Sequence, residues 1–122
     1  MERIHSLGQY FTTNIKLKEK VYEFIKNNPD EILEPSVGRC DLVDFIIKKG
    51  DKIKFKMYEI DKKIKPLETV DKKAINYCDF LKVKINKKFR TIIGNPPFVR
   101  TKKGNLYIDF IEKIFSRPVV HL

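Results

Sequence analysis

The sequence has few of the residues and runs that mark secreted, metal-binding or membrane proteins. Its two cysteines, Cys40 and Cys78, do not form a Cys-x-x-Cys pair, and its two histidines, His5 and His121, have no partners at metal-ligand spacing. These counts favour reduced thiols in an intracellular protein over a disulfide framework or a metal site. No apolar run approaches the roughly 20 residues of a membrane span, and the N-terminus lacks the apolar core of a signal peptide. We therefore expect an intracellular protein that requires neither a metal nor a membrane.

Acidic residues are also few relative to basic ones. The 122 residues include 26 lysines and arginines against 16 aspartates and glutamates, which gives a formal net charge of +10. Such an excess favours a polyanionic partner, and nucleic acid is the usual one. A lysine-rich composition also arises in an AT-rich genome. The length allows one domain, and a hydrophobic fraction of 42% indicates a globular chain.

Apolar periodicity predicts alternating strands and helices along the chain. Asn14 is a good N-cap for a first helix with one apolar face, formed by Leu17, Val21, Phe24 and Ile25. The later elements are strands at 31–34, 54–60, 74–81 and 89–94, and helices from the cap Asp41 to Gly50, at about 62–72 and at about 105–115. Pro66 must lie early in the helix at about 62–72 or break it. This order is typical of a doubly wound α/β sheet, in which polar loops meet at the carboxyl ends of parallel strands.

The segment after the last predicted strand, Asn95-Pro96-Pro97-Phe98, combines rigidity with hydrogen-bond acceptors. The two prolines donate no N–H and fix φ, so the chain leaves the strand in a stiff turn. The side-chain oxygen of Asn95 and the carbonyl oxygen of Pro96 can both accept from an amino group, and Phe98 can stack on a planar ring. The loop therefore suits a planar ligand with an NH₂ group. The alternative is an ordinary proline turn that ends a strand.

This loop resembles motif IV of the amino-methyltransferases, which use S-adenosylmethionine to methylate the exocyclic nitrogen of adenine. Protein glutamine methyltransferases that act on release factors carry a similar loop, as do some RNA adenine methyltransferases. The resemblance implies that Asn95, Pro96, Pro97 and Phe98 form the catalytic loop, with Asn95 also part of the cofactor site.

Residues 8–13, Gly-Gln-Tyr-Phe-Thr-Thr, resemble motif X of the gamma-ordered DNA adenine methyltransferases. In that group the motif precedes the cofactor loop and helps to hold the methionine end of S-adenosylmethionine, which implies a cofactor role for Tyr10, Phe11 and Thr12. Because glutamine methyltransferases do not normally carry this motif, it favours a DNA adenine substrate. The alternative is an irregular lead-in to the first helix.

The loop after the first predicted strand contains Pro35, Ser36 and Gly38 and leads into a helix. A strand, a glycine loop and a helix N-terminus together form a nucleotide-binding unit, because backbone N–H groups there meet the ligand. Glu34-Pro35-Ser36-x-Gly38 resembles methyltransferase motif I, in which the acid reaches the methionine amino group of the cofactor. The alternative is a structural turn. The family usually has a second glycine at the position of Cys40, whose Cβ resists positive φ.

Two further acids follow strands at the same predicted edge. Glu59 lies about 20 positions after Gly38, a spacing suited to ribose hydroxyls, and Glu59-Ile60 resembles motif II, with Ile60 packing on the cofactor adenine. Asp79-Phe80 resembles motif III, which implies that Asp79 accepts from the adenine amino group and that Phe80 covers its ring. The alternative for Glu59 is a solvated acid at the end of a strand.

Together these resemblances imply an incomplete, doubly wound Rossmann-like methyltransferase sheet of about four strands. The implied function is a site-specific adenine methyltransferase of the type II restriction-modification kind, which acts on a flipped base in double-stranded DNA. Residues 1–122 would be the N-terminal part of its catalytic domain, without a target-recognition region, and weakly active or inactive alone. The alternatives are a non-catalytic S-adenosylmethionine-binding fragment, a subunit of a split enzyme that needs a complementary methyltransferase chain, and a protein glutamine methyltransferase.

Overall fold

Short apolar runs form strands, and amphipathic stretches form helices, in the computed structural model of this chain. The structure describes residues 2–3, 10–25, 30–87, 89–95, 100–101 and 104–115. In chain order its elements are β1 (Glu2–Arg3), β2 (Tyr10–Phe11), α1 (Ile15–Phe24), β3 (Glu31–Glu34), α2 (Asp41–Lys48), β4 (Lys54–Glu59), β5 (Ile75–Tyr77), β6 (Thr91–Ile92), β7 (Arg100–Thr101), β8 (Gly104–Asn105) and α3 (Leu106–Phe115). Single-turn 3-10 helices lie at Lys72–Ala74 and Phe80–Lys82.

The central sheet has four parallel strands in the order β5-β4-β3-β6. Leu33 of β3 lies opposite Lys56 of β4 on one side and opposite Ile92 of β6 on the other. On the far side of β4, Glu59 lies opposite Tyr77 of β5. Because all four strands run in the same direction, their carboxyl ends share one edge of the sheet, where ligands of open α/β sheets bind.

The core lies on both faces of this sheet, since successive side chains of a strand point to opposite faces. Ile32 is buried against Leu42 and Ile46 of α2. Its neighbour Leu33 is buried in a second cluster that includes Phe110 of α3. Helices on both faces of a parallel sheet define a doubly wound fold. With four parallel strands, the predicted fold class, a doubly wound Rossmann-like α/β sheet of about four strands, is confirmed.

The helix termini follow local hydrogen-bonding chemistry, with one exception. Asn14 Oδ1 accepts a hydrogen bond from the backbone N–H of Leu17 at 3.1 Å, so the predicted N-cap of α1 is confirmed. The residue that caps α2 is Cys40, which makes no side-chain capping bond. The prediction that Asp41 is this cap is therefore wrong by one residue. Gly50 follows α2 with φ at +87°, the conformation expected of a glycine that ends a helix.

The prediction of a helix at about 62–72 is wrong, because residues 62–71 form turns and irregular backbone. The N–H of Leu67 donates to the carbonyl of Arg39 at 2.9 Å, so this segment packs against the glycine loop. Pro66 explains the difference, because it has no N–H to donate and disfavours helical backbone in Lys65 before it.

The other predicted elements form, although two strands are shorter than expected. The strand at 31–34 is confirmed, and the next one ends at Glu59 rather than at residue 60. The strands expected at 74–81 and 89–94 are Ile75–Tyr77 and Thr91–Ile92. The last helix is confirmed as Leu106–Phe115. Within the described ranges, no helix has both the length and the apolar character that a membrane crossing requires.

Candidate functional site

The carboxyl edge of the sheet brings together polar residues from distant parts of the sequence. Glu34 ends β3, Glu59 ends β4, and Asn95 follows β6. An open cleft lies beside the end of β3, and it is lined by Thr12, Glu34, Ser36, Val37, Gly38, Asp41, Leu42 and Asn95. Thr12, Glu34, Ser36, Gly38 and Asn95, all predicted for the site from the sequence, therefore surround one cleft.

Glu34 is an acid held in an almost fully buried position. Glu34 is only 3% exposed, and its Oε1 accepts a hydrogen bond from the backbone N–H of Ser36 at 2.8 Å. Burial raises the pKa of Glu34 from 4.5 to about 8; the hydrogen bond from Ser36 opposes this rise, and the nearby charge of Glu59 adds to it. A carboxyl group in such a place ionises readily when a cation arrives beside it.

Gly94 lies directly against that carboxyl group. A Cβ placed on Gly94 would lie 2.7 Å from Glu34 Oε1 and 3.4 Å from Pro35 Cδ. Because the N–H of Ile93 donates to the carbonyl of Leu33 at 3.0 Å, the segment after β6 stays beside β3 up to this point. The absence of a side chain at Gly94 is what lets the next residue, Asn95, reach the cleft. Sequence reasoning treated Gly94 only as the end of a strand; its position between a buried strand and Asn95 was the available signal.

The side chain of Glu59 binds the backbone of the glycine loop, the segment between β3 and α2 that contains Gly38. Its Oε1 accepts from the N–H of Gly38 at 2.8 Å, and its Oε2 accepts from the N–H of Asp61 at 2.9 Å. Gly38 has φ at +56°, which glycine adopts without a Cβ penalty. Glu59 is 3% exposed, so it is a buried carboxylate bonded to backbone, not the solvated acid that the sequence left open. A carboxylate has about four acceptor positions, so Glu59 is suited to several simultaneous hydrogen bonds.

Cys40 adopts the conformation that its Cβ disfavours. Its φ is +69°, and it is the sole non-glycine residue with positive φ in the part of the chain that the structure describes. The cost of such a conformation is about 1–2 kcal/mol, and the N–H of Cys40, which donates to the carbonyl of Val37 at 2.7 Å, closes the turn. Burial, with the nearby carboxylates, raises the pKa of the thiol to about 12, so this cysteine is not a nucleophile.

Ser36 contributes a buried hydroxyl to the cleft. Its Oγ is inaccessible to solvent and has no hydrogen-bond partner among the described residues. Buried hydroxyls are normally paired, and a bound water or a group of a ligand can supply a missing partner. Together with the carboxyl group of Glu34 and the backbone of Gly38, this hydroxyl fits the polar end of a ligand that carries both an amino and a carboxylate group.

Ile60, Asp79 and Phe80, which the sequence predicts for the adenine end of the cofactor site, differ in how exposed they are. Ile60 is 50% exposed at the end of β4, so it is available to pack on a ligand. Asp79 Oδ1 accepts from the N–H of Leu81 at 3.0 Å at the start of a 3-10 turn. Phe80 is 3% exposed, and its ring centroid lies 5.4 Å from that of Tyr58 and 5.5 Å from that of a phenylalanine in α3. This core packing does not support the expectation that Phe80 covers a ligand ring.

The remaining predicted residues lie at the margins of the described structure. Tyr10 and Phe11 form β2, which pairs with β1 and leads into Thr12, a buried residue of the cleft. Pro96, Pro97 and Phe98, which the sequence predicts for the catalytic loop, lie outside the described residues. No group of three histidine, cysteine or acidic side chains that could hold a metal ion occurs in the ranges given above.

The chain matches a known protein family over most of its length. Residues 9–117 match the protein family described as Eco57I restriction-modification methylase. The matched segment begins before β2 and ends two residues after α3, so it includes every residue of the cleft.

By name, the curated relatives include ribosomal RNA methyltransferases, type II methyltransferases and a modification methylase. The chain is 33% identical over 120 residues to the ribosomal RNA small subunit methyltransferase A of Mycoplasma mobile, which covers 94% of this chain and 46% of that protein. It is 34% identical over 97 residues to the type II methyltransferase M.HincII of Haemophilus influenzae, and this match covers 80% of this chain and 18% of that protein. It is 30% identical over 137 residues to the modification methylase CviBIII of Paramecium bursaria Chlorella virus NC1A, and this match covers 94% of this chain and 35% of that protein. The chain thus spans less than half the length of these relatives.

Proposed function

Because the chain belongs to the Eco57I restriction-modification methylase family, we propose that it carries the donor-binding and catalytic part of a site-specific DNA adenine methyltransferase. Residues 1–122 are, in this proposal, the N-terminal part of the catalytic domain. The reaction moves a methyl group from S-adenosylmethionine to the exocyclic amino group of an adenine flipped out of double-stranded DNA. The observation that carries the proposal is the contact between Gly94 and Glu34, which brings Asn95, the first residue of the proposed base-binding loop, to the same cleft as the proposed donor-binding acid.

The cleft residues fit the methionine end of S-adenosylmethionine. When bound, this compound supplies an electrophilic methyl group on a sulfonium. The buried carboxyl group of Glu34 receives the amino group, and ionises as the cation arrives. The partnerless Oγ of Ser36 and the backbone beside Gly38 receive the carboxylate, and Thr12 closes the same cleft.

Residues after the neighbouring strands fit the nucleoside end. The Glu59 carboxylate, already oriented by the N–H groups of Gly38 and Asp61, accepts hydrogen bonds from the ribose hydroxyls. The exposed side chain of Ile60 packs on the adenine ring. Asp79, fixed at the start of its turn, accepts from the adenine amino group. Phe80 supports this turn from the core.

The loop that begins at Asn95 activates the target base. An aromatic amino group is a poor nucleophile, because its lone pair is delocalised into the ring. Asn95 Oδ1 and the carbonyl of Pro96 accept its two hydrogens and stabilise the positive charge that develops on the nitrogen. Phe98 stacks on the base and fixes its plane, and Pro97 keeps the corner rigid.

An RNA substrate is the second candidate. The relative from Mycoplasma mobile is named a ribosomal RNA methyltransferase and covers 94% of this chain. The net charge of +10 suits either nucleic acid. The family match and the motif X resemblance at Tyr10, Phe11 and Thr12 favour DNA. A protein glutamine substrate is disfavoured by the same motif.

One experiment tests substrate class and site together. The full chain, alone and mixed with candidate complementary methyltransferase chains, is incubated with S-adenosylmethionine labelled in its methyl group and with duplex DNA, small-subunit ribosomal RNA or release factor. We expect label in DNA adenine, and a rate reduced about a hundredfold by Asn95→Ala, the scale of losing one charge-stabilising acceptor.

The matched control is Asn86→Ala, since Asn86 is an exposed asparagine away from the cleft. It should leave the rate unchanged. A rate for Asn95→Ala within about threefold of the original, less than about 1 kcal/mol of barrier, would show that Asn95 does not activate the base. Label in RNA or in release factor alone would assign the substrate to the other candidates.

A further inference from the structure

Lys113 of α3 contacts the turn that carries Asp79. Its Nζ donates to the backbone carbonyls of Phe80 and Val83, and it lies 4.5 Å from the centroid of the Phe80 ring. A lysine ammonium has three hydrogens to donate, so one side chain can satisfy both carbonyls. This lysine therefore binds the turn at both of its ends.

The turn needs such a partner because it is short. It consists of Phe80–Lys82, and its internal bonds run from the N–H of Lys82 to the carbonyl of Asp79 at 3.0 Å and from the N–H of Val83 to the carbonyl of Phe80 at 3.3 Å. A single 3-10 turn has poor hydrogen-bond geometry and depends on outside contacts. The direction of the Asp79 carboxylate depends on the turn, since its Oδ1 is bonded to the N–H of Leu81.

The same helix holds the turn at a second point. Phe110 lies one turn before Lys113 on α3, so the two side chains share a face of the helix. The ring of Phe110 stacks on that of Phe80, with centroids 5.5 Å apart and planes inclined by 25°. The stacking of the two rings sets the distance between α3 and the turn. The hydrogen bonds from Lys113 set the orientation of the turn relative to the helix.

We propose that Lys113 is a positioning residue for recognition of the adenine amino group of the methyl donor, and that it acts by fixing Asp79. The inference rests on the proposed function, because it takes Asp79 as the acceptor for that amino group. Lys113 itself does not touch the donor in this proposal. Without its ammonium, the turn relaxes and the Asp79 carboxylate loses its fixed direction, so the site distinguishes adenine less well from bases without an amino group.

The test compares two probes that differ in that amino group. Binding of S-adenosylhomocysteine and of S-inosylhomocysteine, in which an oxo group replaces the amino group, is measured by calorimetry with the full chain. The original chain should prefer the adenine probe by roughly tenfold or more, the scale of a hydrogen bond to a charged acceptor. In Lys113→Met most of this preference should be lost, and Lys113→Arg, which keeps cationic donors, should retain it.

Two controls separate positioning from general stability. Lys49→Met removes a lysine that lies 4.8 Å from the centroid of the Phe45 ring, on the α2 side of the sheet; it should leave the preference unchanged. In an Asp79→Asn background, Lys113→Met should have no further effect on the preference, because the residue through which it acts is already altered. Far-ultraviolet circular dichroism and urea unfolding check that each variant folds, and Lys113→Gln replaces the methionine variant if that one does not.

The outcomes are distinguishable. Equal weakening of both probes by Lys113→Met would assign the lysine a purely structural role and overturn the inference, while leaving the proposed function intact. An unchanged preference in the folded variant would do the same. If the original chain binds neither probe, the proposed function and this inference both fail.

Discussion

The backbone of Gly94 lies against the carboxyl group of Glu34, so closely that a Cβ on Gly94 would be 2.7 Å from Glu34 Oε1. No real Cβ approaches an oxygen at that distance without displacement of one of them. The contact joins two loops that are 60 residues apart in sequence and that follow neighbouring strands β3 and β6. It makes the position of Asn95 depend on the position of Glu34.

We expect Gly94→Ala to weaken binding of S-adenosylhomocysteine strongly, because the added methyl group displaces either Glu34 or Asn95 from the cleft. Its free energy of unfolding should fall by about 1–3 kcal/mol, the usual cost of an extra methyl group in a filled space. Calorimetry and urea unfolding measure the two effects.

Gly50→Ala is the matched control for that variant. Both glycines have positive φ, +156° at Gly94 and +87° at Gly50, but a Cβ on Gly50 would meet nothing within 4 Å. It should lower stability through backbone conformation alone, by about 1–2 kcal/mol, and leave ligand affinity unchanged. Equal ligand affinity in both alanine variants would show that the contact at Gly94 does not shape the cleft.

The buried position of Glu34 makes stability depend on pH. Because its pKa is about 8 in the folded chain against an ordinary 4.5, the folded chain holds a proton that the unfolded chain has lost between these values. The contribution to stability is complete below about pH 4.5 and is lost as pH rises through about 8. The slope from this group is on the order of 1 kcal/mol per pH unit within the window.

Urea unfolding from pH 5 to pH 8 checks this dependence. Glu34→Gln stays neutral at every pH while its side-chain oxygen can still accept from the N–H of Ser36, so the variant should lose the slope. A variant with the same slope as the original chain would mean that Glu34 is ionised in the folded state throughout.

Sequence reasoning predicted best what local chemistry decides. Asn14 and Gly50 were recognised as helix ends because capping depends on residues close in sequence. The site acids Glu34 and Glu59 were found because each ends an apolar strand, and parallel strands end at one edge. The helix expected near Pro66 failed for a local reason too, since the proline signal outweighs the apolar spacing around it.

What the sequence could not provide are contacts between distant segments. Nothing in the pattern around Glu59 indicates that its carboxylate binds the N–H of Gly38. In the pair Asp79-Phe80, the aspartate lies at the start of a 3-10 turn, whereas the phenylalanine is buried and stacks on Phe110 of α3. The sequence pattern does not indicate this packing. The close approach at Gly94 likewise depends on how β6 pairs with β3.

Cys40 allows a direct test of its backbone conformation. In a helix interior alanine is more stable than glycine by roughly 1 kcal/mol, but at φ of +69° the preference should reverse. We expect Cys40→Gly to be more stable than Cys40→Ala, although both lose the buried sulfur and are less stable than the original chain. Thermal and urea unfolding compare them. Alanine more stable than glycine at this position would indicate that the loop is not in the left-handed conformation.

Glu59 should matter to the glycine loop even before any ligand binds. Both of its oxygens accept backbone N–H groups, those of Gly38 and Asp61. Glu59→Gln replaces one acceptor oxygen with an NH₂ donor, which faces an N–H and leaves it unsatisfied, at a cost of about 1–3 kcal/mol. Hydrogen exchange at the amides of Gly38 and Asp61 should accelerate, and affinity for S-adenosylhomocysteine should fall. The exposed Glu68 offers the control Glu68→Gln, which removes the same charge without touching the loop. If both glutamine variants exchange at the original rate, the loop is held by its own backbone turn and Glu59 serves only the ligand.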